Sequence, residues 1–168
     1  MSRIGRKKYI LVFFCILLCL VCVLCACTDG RDVDGIHVSQ EMIDIGDMND
    51  LNYCRLYKNA LDGDTAGIRT FVLIDSFDGA GIYVHGVYLI RLIDRISDDF
   101  FVKTLADSNK EQKIWIETYI KAGMDIYEWY PTGNGAVKYE SVKDYWNKHP
   151  KIKKFIMDES EELTLRKK

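Results

Sequence analysis

The stretch GAGIYVHGVYLIRLIDRI, residues 79–96, decides the fold class. Ile82, His85, Leu89, Leu92, Ile93 and Ile96 recur at three- and four-residue spacing, which puts them on one side of a helix. Val84, Val87, Tyr88 and Ile90 widen that side into an arc too broad for a helix lying on a surface. The sequence therefore places this helix inside the fold, covered on more than one face, with Asp78 as its N-cap.

The segments on either side also read as helices. Downstream, Ser97 with Asp98 and Asp99 starts a short helix carrying Phe101, Val102 and Leu105. Ser108-x-x-Glu111 fits a capping box opening a helix from about Asn109 to Met124, with Trp115, Ile116, Tyr119, Ile120 and Gly123 inward and Lys113, Glu117 and Lys121 in water. Upstream, Asn49 or Asp50 caps a helix whose stripe is Tyr53, Leu56, Tyr57, Ala60 and Leu61. Asp62-Gly63-Asp64 ends it and caps a segment running to Ile74. Thr70 to Ile74 is β-branched enough for a buried strand, but Ile68, Phe71 and Val72 share one helical face and favour helix. Helices joined by short turns pack antiparallel, so the expected class is mainly α, a small antiparallel multi-helix domain.

After Ile126 aromatic residues crowd the chain: Tyr127, Trp129, Tyr130, Tyr139, Tyr145, Trp146 and Phe155. Pro131 followed by Thr132-Gly133-Asn134-Gly135 predicts a turn, that of a short C-terminal hairpin. Ser141 to Lys148 reads as a helix stopped at His149-Pro150. Trp129, Tyr130 and Trp146 are the candidate partner surface, since amphipathic rings dock a protein at low entropy cost. The competing reading of the same rings is a latch over the helical core.

The front of the chain has another character. Arg3, Arg6, Lys7 and Lys8 precede an apolar run from Tyr9 to Ala26, and no acid occurs before Asp29. A basic start, an apolar stretch and a small residue before the break are the parts of a secretory signal. Cys15, Cys19 and Cys22 within it read as small apolar fillers. Leu24-Cys25-Ala26-Cys27 resembles the lipobox of bacterial lipoprotein precursors. The resemblance, confined to about the first 28 residues, implies cleavage after Ala26 and a lipid, with palmitate-type chains, on the sulfur of Cys27. It implies a location on the exported side of a bacterial cell membrane or outer membrane, and in a cell with an outer membrane Thr28 at the next position resembles the pattern for outer-membrane delivery in enteric-type bacteria. The alternative is an uncleaved anchor, for which 18 apolar residues are barely long enough. The expected organisation is a signal peptide over 1–26, a lipidated flexible tether over 27–48, a helical domain over 49–156 and a charged tail over 157–168.

Without residues 1–26, 19 Lys and Arg (23 less the four at the front) stand against 25 Asp and Glu, a net charge of −6. That excludes a nucleic-acid partner, because the body offers no basic footprint for phosphates. A disulfide framework is excluded as well, since Cys27 and Cys54 alone remain, and Cys54 reads as a half-buried helix residue. Asp32-x-Asp34-Gly35 with Glu41 matches part of a calcium loop, but Gly30 takes the place of its first ligand, so the segment reads as an acidic linker. Gly79-x-Gly81 lacks the third glycine of a dinucleotide loop, having Val84 there, and reads as a place of close helix packing. No metal site, cofactor or catalytic set is expected. The expected function is a non-enzymatic protein-binding module of the cell envelope, for example an immunity protein or inhibitor, with the membrane and an envelope protein as partners. The alternatives are an envelope enzyme acting on peptidoglycan or glycans, with His85 as a general base oriented by Asp78 where the competing reading of His85 is a core histidine, and a structural subunit of an envelope complex.

Overall fold

The computed structural model describes residues 30–75, 77, 79–129 and 139–157, the Trp129 side chain excepted. These residues form a mainly α-helical domain with one two-stranded hairpin. Strands β1 (Asp32–Val33) and β2 (Ile36–His37) pair antiparallel, Val33 opposite Ile36. Asp34 and Gly35 turn the chain between them with φ of 54° and 76°, the two positive values that a two-residue hairpin turn demands.

Eight helices follow among the described residues: α1 (Gln40–Met48), α2 (Tyr53–Leu61), α3 (Thr65–Val72), α4 (Gly79–Arg95), α5 (Asp98–Thr104), α6 (Lys110–Ile126), α7 (Val142–Lys148) and α8 (Pro150–Met157). A 3-10 turn, Tyr127–Trp129, extends α6. No described helix is long and apolar enough to cross a membrane.

Local chemistry sets most of these boundaries. Asn52, Asp64, Ser97, Asn109 and Ser141 each accept a backbone N–H at the start of a helix, covering a donor the helix cannot satisfy itself. The expected box at Ser108 sits one residue later: Asn109 accepts from the Gln112 N–H, and the Gln112 side chain accepts from Asn109. Asn caps as well as Ser, and Ser108 is pulled into the interior, 7% exposed. The ambiguous segment is helical through Val72 and leaves the helix at Leu73.

The expected flexible tether over 27–48 is corrected over its described part, residues 30–48. From Arg31 onward the chain is folded onto the body: Val38 and Met42 are fully buried, and the Tyr88 hydroxyl accepts from the Ser39 N–H and donates to the His37 carbonyl. The apolar residues Val33, Val38 and Met42, set between acids, supply the burial that holds the segment down. The expected C-terminal hairpin at 132–135 lies outside the described residues, as do the tail from 158 and the N-cap Asp78.

Sequence neighbours α2 and α3 pack antiparallel, with Tyr57 stacked on Phe71 and Gly67 against Ala60. The pair α4 and α6 instead runs in one direction, with α5 carrying the chain back between them. Phe77, just before α4, meets Tyr119, Gly86 meets Gly123, and Asp94 lies by Tyr127. At the crossing a Cβ on Gly86 would stand 2.0 Å from the Tyr119 carbonyl oxygen, and one on Gly123 2.3 Å from the Gly86 carbonyl carbon. Only two glycines allow backbones this close.

Candidate functional site

Two histidines were brought to opposite settings, and between them they account for most of the titratable chemistry in the interior. His85 lies on α4 at the centre of the core, with no exposed surface. Phe77 stacks on its ring at 4.3 Å between centroids, Phe71 lies at 4.7 Å and Tyr119 presents an edge at 4.9 Å. Its Nδ1 shares a hydrogen bond of 2.8 Å with the Tyr53 hydroxyl. Burial alone pushes its pKa down to about 3, since nothing compensates the loss of hydration of an imidazolium there. The same burial raises the Tyr53 hydroxyl well above its ordinary value. A neutral ring enclosed by aromatics cannot receive a substrate proton, so His85 packs the core. Its expected partner Asp78 lies outside the described residues.

His149 sits where the C-terminal helices meet the ends of α4 and α5. The proline at 150 forces it out of helical geometry, to φ −117° and ψ 59°, and its ring turns inward. Nδ1 lies 2.7 Å from Asp98 Oδ1, and Nε2 lies 3.2 Å from both Asp94 Oδ1 and the Tyr139 hydroxyl. Asp94 Oδ1 also accepts from the Tyr139 hydroxyl and, at 2.6 Å, from Lys148 Nζ. Burial disfavours the charged ring, but hydrogen bonds and charge from Asp94 and Asp98 outweigh it, and the His149 pKa is raised. Asp94 is the mirror case: burial pushes its pKa up, and the bonds from His149, Lys148 and Tyr139 bring it below the ordinary carboxylate value. Tyr139 is held protonated by burial and by the Asp94 carboxylate. Outside this cluster, Lys151 Nζ reaches Asp99 and the Lys151 N–H reaches Asp98 Oδ2.

Trp146, expected on the partner surface, is buried beside Tyr145, their rings 5.1 Å apart. It belongs to the latch, because the face of α7 that carries Tyr145 and Trp146 is the face turned to the core. The Trp129 side chain, Tyr130 and Cys27 lie outside the described residues. Cys54 is half-buried on α2, as expected. Asp32 and Asp34 shape the hairpin and pair with His37 and Arg95 respectively, and among the described residues no three His, Cys, Asp or Glu side chains gather to hold a metal ion.

An open groove of about 410 Å³ lies between the Leu51 loop, α3 and the segment after it. Its one cation, Arg69, is committed to the Thr104 carbonyl at 2.8 Å and to the Asp107 carboxylate, so the groove converges no free set of reacting groups. The His149 cluster carried no signal in the sequence, since Tyr139, Asp98 and Asp94 lie 10, 51 and 55 residues from the histidine they meet. The nearest hint was a histidine before a proline, which marks a helix end without saying what the ring will touch. The chain matches no protein-family model, no curated protein and no solved structure.

Proposed function

We propose that this chain is a bacterial lipoprotein, held through Cys27 on the exported side of a membrane, that works by binding a protein partner in the cell envelope. The observation that carries the binding reading is the enclosure of His85: the side chain best placed to act as a base is occupied in packing. The charge of −6 on residues 27–168 suits a basic partner, which it would attract at long range and hold in register, as an immunity protein or inhibitor must. The anchor rests on Leu24-Cys25-Ala26-Cys27. Because Arg31, which is folded onto the body, stands four residues after Cys27, the connection spans at most about 14 Å. A domain so closely tied would work at the bilayer surface.

Cells fed a palmitate analogue should label the wild-type chain and leave Cys27→Ala unlabelled; label on the variant would refute the anchor. For the partner, a photo-cross-linking phenylalanine analogue at Tyr130 should give a discrete adduct in the membrane fraction that fades as salt is raised. Absence of any adduct from positions 129 and 130 would count against binding through this region.

A further inference from the structure

A neutral imidazole has one N–H and one lone pair, so it can donate to one carboxylate only. His149 faces a carboxylate from each nitrogen, Asp98 at 2.7 Å and Asp94 at 3.2 Å, and only the imidazolium satisfies both. The charges agree: Asp94 and Asp98 are balanced by Lys148 and His149, and beyond them Asp99 is balanced by Lys151. Loss of the His149 proton leaves the inner group one negative charge in excess and turns a lone pair toward a carboxylate. With His149 4% exposed, water screens little of that repulsion.

The remaining groups facing the ring are tyrosines, with the buried Arg91 of α4 beyond Tyr127. Tyr145 packs on it at 4.8 Å, Tyr139 bonds to it, and Tyr127 stands 6.0 Å behind Tyr139. All three hydroxyls are held protonated by burial, so none of them changes charge where a histidine does. What the cluster holds in place is the aromatic cover, α7 and α8, with Trp146, Ile152 and Ile156 beneath.

We propose that His149 is a pH-sensitive fastener, clamping α7 and α8 to the ends of α4 and α5 when protonated and releasing them when alkaline surroundings remove its proton. The device is independent of what the protein binds, and an exported domain meets the pH of its surroundings directly.

Acrylamide quenching of Trp146 tests it, in the full chain in detergent with Trp115→Phe and Trp129→Phe leaving one indole. Quenching should rise several-fold between about pH 6 and about pH 9.5 in this background, and stay flat with His149→Gln. Asp98→Asn, which removes one clamping carboxylate, should move the midpoint to lower pH by about one unit. Quenching that stays flat in the wild-type cluster, rises equally with His149→Gln, or has its midpoint unmoved or raised by Asp98→Asn would overturn the fastener.

Discussion

His85 and His149 are the same side chain, both with little or no exposure, yet the fold keeps one neutral and favours the positive charge on the other. Around His85 there are rings and one hydroxyl, so burial acts unopposed and the imidazole is neutral. Around His149 there are two carboxylates at bonding distance, and burial strengthens the pairing it first disfavours. Depth therefore says little about a buried histidine until its neighbours are named. The difference also assigns roles: one region is the rigid centre of the domain and the other is the seam by which its last two helices are attached.

The largest effects should come from the centre. Gly86→Ala, one residue from His85, drives a methyl into the α6 backbone, which cannot retreat as a side chain could. A loss of about 3 kcal/mol or more is expected by chemical denaturation, with Gly123→Ala close behind. Near-wild-type stability in either variant would mean that α4 and α6 are not in backbone contact. At the seam, Asp94→Ala removes the acceptor shared by Tyr139, Lys148 and His149 and should cost about 3 kcal/mol, because the cations left behind lose their counter-charge.

The pH dependence separates the two regions by sign. A histidine with a depressed folded pKa stabilises fully above about 6.5, its unfolded value, and loses that contribution as pH falls toward about 3. His149, with a raised folded pKa, contributes fully below about 6.5 and loses its contribution as pH rises through the folded value. His85→Leu should therefore flatten the acid limb of a stability curve and leave the alkaline limb, while His149→Gln should do the reverse. Flattening of the same limb by both would break the contrast.

Smaller effects sharpen it. Tyr53→Phe leaves His85 Nδ1 without its bond and should cost about 1–2 kcal/mol, whereas Tyr53→Phe with His85→Leu removes both polar groups and should cost less than the sum of the two. Lys151→Ala, whose pair with Asp99 is exposed on both sides, should change stability by about 0.5 kcal/mol at most.

How far the sequence could be read depended on whether the deciding contacts are local. Helix spacing and caps are local, and α2 to α7 fall within a few residues of expectation. The Asp34-Gly35 pair between Val33 and Ile36 is a hairpin signal of the same local kind, and it was hidden by the surrounding acids, which suggested a solvated linker. Gly123 reads as inward from its position on α6, but its contact with Gly86 joins helices that are not consecutive. Trp146 shows the limit for surfaces: an aromatic residue looks the same in sequence whether it awaits a partner or covers a core, and only the packing of α7 settles it. For His149, the ligating carboxylates come from positions 94 and 98, and no pattern in the chain announces that meeting.

The most direct test of the contrast is an NMR titration of the imidazole resonances, assigned with His85→Leu and His149→Gln. The His85 resonance should stay at its neutral shift until the pH falls far below about 6.5, and the His149 resonance should remain at its protonated shift as the pH passes above it. Both rings titrating together near the ordinary histidine value would contradict it.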